Sequence, residues 1–419
     1  MRHYDFNKII SRKGTYSEKW DDIKEIFTEY NIENIADVLS MWVADMDFLC
    51  PKEVIDVVKE RASKGIYGYT SFHAIESFKK AASGWYNRRY GYKTKTDWML
   101  FFGGVMPAIN ATIQEFTELG DGVILQQPVY YPFSESVINC GRNIKVNQLV
   151  EVDGNYSMDF ENLEELVEDN NNKLMILCNP HNPVGRVWKK EELYKLCKIC
   201  YDNNVIIFAD EIHSDLIMKG HTFFSVGMLP NEISQKLIIA FSPSKAFNIA
   251  GLTAAIIIVP QEQNRKRLEK RILINRYPDA NIFGLLAGEA AYLYGDIYVD
   301  ELIRYVEQNI DFVLDFSKKN LKDLRIIKPE GTYLTWIDFR GTGMSSEKIY
   351  SLVLEKAKIA VDFGKWFGSG GDGFVRFNFA CPRTMAEEAM NRLKDAFAKL
   401  WYYYLYLLYL LFIQNPGKK

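Results

Sequence analysis

Three short apolar runs, Leu174–Cys178, Val205–Ala209 and Leu237–Phe241, each end abruptly in a cluster of polar residues. The first runs into Asn179-Pro180-His181-Asn182-Pro183-Val184-Gly185-Arg186 and the second into Asp210-Glu211-Ile212-His213. The third meets Ser242-Pro243-Ser244-Lys245-Ala246-Phe247-Asn248. Runs of this length bounded by turn residues suit strands buried on both faces, and Val123–Gln126 and Thr253–Val259 have the same form. All five are expected as buried parallel strands. Between them, Lys189–Asn203 carries Leu193, Leu196, Cys197 and Cys200 at helical spacing. The alternation predicts an α/β fold, a mostly parallel sheet with helices on both faces. Ligands of open α/β sheets bind beyond the carboxyl ends of the strands, where Asn182, Asp210 and Lys245 all fall.

The residue types at those ends are specific. A lysine beside two hydroxyls can lose its proton and condense with an aldehyde, while the hydroxyls hydrogen-bond an anion. An aspartate can keep a ring nitrogen protonated, and an asparagine can donate to a phenolic oxygen. Pyridoxal 5'-phosphate presents an aldehyde, a ring nitrogen, a phenolic oxygen and a phosphate, so it is the expected cofactor.

On these motifs the chain resembles the fold-type I aminotransferase superfamily of pyridoxal-phosphate enzymes, from the N-terminus to about Leu400. Met41-Trp42-Val43-Ala44-Asp45-Met46-Asp47-Phe48, the segment Asp210–Asp215 and Phe247-Asn248-Ile249-Ala250-Gly251 resemble its cystathionine β-lyase branch of cystalysin-like carbon–sulfur lyases. The resemblance implies that Lys245 carries the cofactor and then acts as base at the substrate α-carbon. Asp210 would face the ring nitrogen and Asn182 the phenolic oxygen. His213 stands where most aminotransferases place a tyrosine, either touching the cofactor or serving the structure. Gly103-Gly104-Val105-Met106-Pro107 leads into the helical stretch Ala108–Thr117 and, with Ser242 and Ser244, would form the phosphate cup. Thr253 occupies the place of an arginine that many relatives use there. Tyr130, or Tyr131 one register on, would stack on the cofactor ring. Arg376, in Phe374-Val375-Arg376-Phe377-Asn378, would grip the substrate carboxylate, with Ala44 also at the substrate. Tyr69, or Tyr67, would reach the phosphate of a neighbouring subunit, making the active unit a homodimer with shared sites. No metal is implied.

The implied activity is α,β-elimination from L-cystathionine or another L-cysteine S-conjugate to a thiol, pyruvate and ammonia. An aminotransferase of the same fold is the alternative within this chemistry, since Lys245 serves both. Binding to a transcription regulator, known in this lyase group, is the alternative of another class.

At 419 residues the chain can hold two domains. The resemblance places a large cofactor-binding domain at 49–289 and a small α+β domain at 1–48 and 290–400. A helix at Tyr298–Lys318 would bridge them; strands near Tyr333–Phe339 and Gly373–Phe379 and a last helix at Met385–Leu400 complete the small one. A net charge of -3 without a basic run argues against nucleic acid and for a small-molecule substrate. The N-terminus lacks the apolar core of a secretory signal, and six scattered cysteines do not form a disulfide framework, so a cytoplasmic protein is expected. Cys197 and Cys200 fit packing on a helix better than metal or redox work. The uncharged run Leu400–Ile413 falls short of the about 20 residues that span a bilayer. The tail 401–419 is expected to be a non-catalytic appendage, ahead of an interfacial anchor.

Overall fold

The computed structural model describes residues 4–30, 32, 34–275 and 280–414, with side chains described as far as residue 400. Among the described residues the central sheet has seven strands, in the spatial order Met99–Phe102, Ala255–Ile258, Leu237–Phe241, Ile206–Asp210, Asn172–Cys178, Gly122–Leu125 and Asn143–Val146. From Leu237–Phe241 through Asn143–Val146 all neighbours are parallel. Ala255–Ile258 differs from the expectation for Thr253–Val259, running antiparallel to both its neighbours. A parallel return usually carries a crossover helix that packs on the sheet. The connection from Phe241 to Ala255 has only the three-residue helix Ala250–Leu252, and the chain doubles back.

Successive residues of these strands fall into two separate apolar clusters, as the two-residue repeat of a pleated strand requires. Ile207, Ala209, Ile239 and Phe241 join Phe78, Trp85, Tyr86, Leu193 and Leu196 on one face. Ile206, Phe208, Ile238 and Ala240 join Ala108, Ile109, Ile113 and Leu268 on the other. Helices Phe72–Tyr90, Lys190–Asp202 and Ile282–Tyr294 thus cover the first face, and Val105–Phe116 and Glu262–Asn275 the second. With both faces buried, each aliphatic side chain contributes about 1.5–3 kcal/mol. Cys197 and Cys200 lie in the first cluster as unpaired, fully buried thiols.

A third cluster surrounds a four-stranded antiparallel sheet ordered Arg325–Ile327, Leu334–Asp338, Phe374–Asn378, Asp362–Phe363. The helix Asp296–Asn320 sends Val306 and Ile310 into the first cluster and Val313 into this one. Ile23, Phe27, Met41 and Trp42 pack here too, and Leu39–Ser40 pairs in parallel with Ile359–Ala360. The last helix starts at Arg383, near the expected Met385, and its backbone continues to Gln414. The side chains of 401–419 lie outside the described residues. No helix among the described residues is long and apolar enough to cross a membrane.

Candidate active site

The three strand ends meet as the sequence led one to expect. Asp210 closes the strand Ile206–Asp210, is buried, and accepts the Ile212 N–H at 3.1 Å on Oδ1. Burial pushes its carboxyl up to about 6, opposed by that hydrogen bond and by the charge of Lys245. A cation against its other oxygen would restore the ionised form. Lys245 is half-buried and donates from Nζ to the Ala44 carbonyl at 2.9 Å. Burial, then the charge of Arg376, lower its pKa, which favours the neutral, nucleophilic amine.

Asn182 is buried in the turn after Asn172–Cys178. Its Oδ1 accepts from Arg376 Nη1 at 2.9 Å, which orients the amide so that Nδ2 is the group left to donate. Its carbonyl accepts the Tyr130 N–H at 3.1 Å, seating that tyrosine beside the turn. Gly185 closes the turn with φ +75°, where a Cβ would approach Pro329 Cβ to 2.6 Å, so a side chain is excluded by both conformation and space. Burial raises the Tyr130 phenol to about 12, and Asp210, Asp362 and Arg376 all lie within its electrostatic reach. Tyr131 is partly buried and faces Trp366 and Phe367 at 5.9 and 5.8 Å between ring centres.

Arg376 is buried in the strand Phe374–Asn378, directly across from Asp362 in the antiparallel register. Nη2 pairs with the buried Asp362 carboxylate and lies 3.4 Å from the Trp42 carbonyl, while Nε has no partner among the described residues. His213 is buried, its Nδ1 without a partner among the described residues, and burial together with Lys245 and Arg376 drives its pKa well down, so the ring is neutral. Tyr333 stands 6.2 Å from it between ring centres, edge to face, and donates its hydroxyl to the same Ala44 carbonyl at 2.8 Å.

At the head of the helix Val105–Phe116, Gly104 adopts φ +141°, outside the range of ordinary side chains. A Cβ on Gly103 would meet nothing within 4 Å, and one on Gly104 only Pro107 Cδ at 3.5 Å. Val105 is buried and Met106 partly so. Ser242 Oγ donates to the Ala254 carbonyl at 2.7 Å and lies 2.6 Å from Ser244 Oγ, so Ser244 is the hydroxyl able to turn toward an anion. Thr253 sits in the left-handed region at φ +49°. Tyr69 is fully exposed and Tyr67 largely so; neither reaches the groups around Lys245 within this chain. Glu211 and Asp215 have structural partners. Glu211 receives Ser225 Oγ at 2.6 Å and the Val226 N–H at 2.9 Å, and Asp215 receives Trp85 Nε1 at 2.9 Å and the Tyr90 hydroxyl.

The segment Met41–Phe48 is laced to the site. Asn248 holds the Met46 N–H, the Met46 carbonyl and the Phe48 carbonyl at 2.8–2.9 Å. Asn378 Nδ2 holds the Val43 and Asp45 carbonyls at 2.7 and 2.6 Å. Arg12 grips Asp45 at 2.5 Å, and the buried Lys19 reaches Asp47 at 2.7 Å. Sequence reasoning assigned no role to Asp362, Tyr333, Asn378 or Lys19. For Asp362 a signal was present: Val361-Asp362-Phe363 matches Val375-Arg376-Phe377, each an ion between apolar neighbours, and such ions persist in adjacent buried strands when they pair.

The residues present fit pyridoxal 5'-phosphate. The amine, the buried carboxylate, the oriented amide, the unpartnered imidazole nitrogen and the open glycine turn supply a donor or acceptor for each of its polar groups. Relatives carry the same chemistry. Over 94% of its length the chain is 39% identical to "Cystathionine beta-lyase PatB" of Bacillus subtilis, 99% of which is covered. The structure of cystalysin from Treponema denticola, which contains a pyridoxal 5'-phosphate cofactor, superposes with a TM-score of 0.90 at 38% identity, over 95% of this chain and all of that one. The PLP-bound C-S lyase of Staphylococcus hominis, complexed with L-cycloserine, gives 0.87 at 28% identity, over 94% and 98%. The family model described as "Aminotransferase class I and II" matches residues 36–393, and the chain belongs to that family.

Proposed function

We propose that this protein is a pyridoxal-phosphate-dependent carbon–sulfur β-lyase. It would convert L-cystathionine and water, or a comparable L-cysteine S-conjugate, to a thiol, pyruvate and ammonia. The observation that carries this reading is the meeting of Lys245 Nζ and the Tyr333 hydroxyl on one carbonyl, Ala44, within the laced segment Met41–Phe48. Near-full-length likeness to proteins named cystathionine β-lyase and C-S lyase supports it.

When bound, the cofactor draws electrons from the bonds at the substrate α-carbon. The remaining work falls to this chain. Lys245 would hold the cofactor and would take the proton from the substrate α-carbon; its lowered pKa suits a base. Asp210 would keep the ring nitrogen protonated. Asn182 would donate from Nδ2 to the phenolic oxygen, with His213 either beside it or serving the structure. Tyr130 would pack on the ring. The N–H groups at Gly104, Val105 and Met106 would receive the phosphate together with Ser244, whose hydroxyl Ser242 positions. Arg376 orients the substrate through its carboxylate, with Nε and the outer edge of Nη1 as donors, and Ala44 lies against it. Loss of the thiolate from the β-carbon then follows loss of the α-proton.

We further divide the chain into a large unit, 49–289, and a small one, 1–48 with 290–400, and infer a homodimer. Tyr69, Tyr67, Leu273 and Ile274 are exposed apolar residues that a second copy would cover, bringing Tyr69 to its neighbour's phosphate. Six free cysteines fit a reducing cytoplasm. The test is purified holoenzyme supplied with L-cystathionine and no oxo acid. Sustained release of pyruvate and thiol in equal amounts is expected; turnover only on adding an oxo acid would make it an aminotransferase.

A further inference from the structure

The backbone that delivers Tyr333 to the site is held in a conformation few residues tolerate. Thr332, just before it, adopts φ +72°. That left-handed geometry is costly for a β-branched side chain, and it persists only where the surroundings enforce it. The Glu330 and Gly331 N–H groups both reach the Gly185 carbonyl, at 2.8 and 3.0 Å, and the Thr332 N–H reaches the Leu216 carbonyl at 2.7 Å. The Glu330 carboxylate takes Arg186 Nε at 2.9 Å and the Val187 N–H at 2.8 Å. The Leu216 N–H donates in turn to the His213 carbonyl at 2.9 Å. The turn 330–332 is thus tied to the Asn182 turn on one side and to the His213 segment on the other. Tyr333 leaves it fully buried, its own carbonyl accepting the Phe379 N–H at 3.1 Å and its hydroxyl on Ala44.

The Ala44 carbonyl differs from its neighbours in what it meets. Those of Val43, Asp45, Met46 and Phe48 are held by the amides of Asn378 and Asn248. Ala44 gives its two lone pairs to the Tyr333 hydroxyl at 2.8 Å and Lys245 Nζ at 2.9 Å. Both groups donate to this one oxygen, and an amide oxygen accepts without passing a proton on. Tyr333 is therefore neither acid nor base toward Lys245; its hydroxyl fixes the oxygen. A neutral amine that gives one hydrogen to a fixed oxygen has its lone pair turned away from that oxygen in a set direction. Without the hydroxyl, the direction of the amine would rest on a single contact to irregular backbone.

We propose that Tyr333 is a positioning residue: it fixes the Ala44 carbonyl as the seat that aims the free Lys245 amine at the substrate α-hydrogen. The inference rests on Lys245 being the base, as the lyase reading has it, and deepens that reading by naming what aims the base. The enforced geometry of Thr332 is what brings the hydroxyl to this seat.

L-Alanine has an α-hydrogen and no group to leave from its β-carbon, so in heavy water it reports proton removal apart from elimination. Holoenzyme of the wild type and of Tyr333→Phe is incubated with L-alanine, and exchange of the α-hydrogen for deuterium is followed by proton NMR. Rates are taken per mole of bound cofactor, binding of L-alanine is read from the change in the cofactor's visible absorption, and Tm is measured alongside. Tyr333→Phe should bind the cofactor and L-alanine as the wild type does and exchange about tenfold more slowly, as for a misaimed base. A purely structural role predicts a lower Tm with an unchanged exchange rate per bound cofactor, and that result overturns the proposal. Loss of cofactor or L-alanine binding in Tyr333→Phe, or no exchange by the wild type, overturns it as well. Slowed exchange with no pyruvate formed from L-cystathionine sustains the role of Tyr333 and overturns the lyase reading instead.

Discussion

Arg376 shows how single residues set the chemistry. A guanidinium buried in a strand is tolerable when its donors are engaged, and here Asp362, Asn182 and the Trp42 carbonyl engage two of its three nitrogens. Asp362→Ala would strand the charge and should destabilise the protein by about 3–5 kcal/mol, measured as a fall in the denaturant midpoint. Arg376→Lys keeps the charge but loses the planar fork, and KM for the amino acid should rise about tenfold, the effect of about 1.4 kcal/mol. Glu211 acts through pH. Burial pushes its carboxyl up to about 8, so the folded state holds a proton that the unfolded chain releases near about 4.3. Stability from this group is therefore full at acid pH and is lost as pH rises toward 8. Asp215, raised to about 6, tilts the curve the same way. In Glu211→Gln the decline of the holoenzyme Tm between about pH 5 and 8 should be shallower than in the wild type. At this scale the sequence was legible wherever a residue type has one chemistry at a strand end, as with Lys245, Asp210 and Asn182. Tyr333 escaped because it is one of 25 tyrosines, and only the fold puts its hydroxyl on Ala44.

Among the elements, the segment Met41–Phe48 has the largest consequences relative to its size. It is irregular backbone, so its polar groups are met by side chains from elsewhere. Asn248 meets three of them while holding a left-handed φ of +56°. Asn248→Gly preserves that backbone freedom and removes only the amide. It should cost about 1–3 kcal/mol in unfolding free energy and raise KM, since Ala44 would lose its fixed position. The Trp42–Phe48 and Phe247–Gly251 motifs were visible as separate strings; that one clamps the other is a contact across about 200 residues, which no local pattern encodes. Most strands were legible where apolar runs are continuous, although Met99–Phe102, such a run, was not named. Asn143–Val146 was not, because this edge strand exposes Asn143 and Val146 and only partly buries the residues between them. The direction of Ala255–Ile258 was missed because a short apolar run reads alike in either sense, and the lack of a crossover helix before it shows only in the structure.

For the whole molecule, the proposed dimer makes each active site depend on two chains. Refolding Lys245→Ala together with Tyr69→Ala in equal amounts should restore about a quarter of wild-type activity, because each mixed dimer has one site with neither defect. Two intact monomers that never exchange would give no such recovery. A chain ending at residue 400 should keep the cofactor and wild-type kcat. The central claim is that three strand ends build one cofactor site around Lys245, and borohydride tests it most directly. The reduced holoenzyme is digested and its peptides weighed. The peptide containing Lys245 should alone carry the phosphopyridoxyl mass, and Lys245→Ala should carry none; the label on any other lysine would contradict the account.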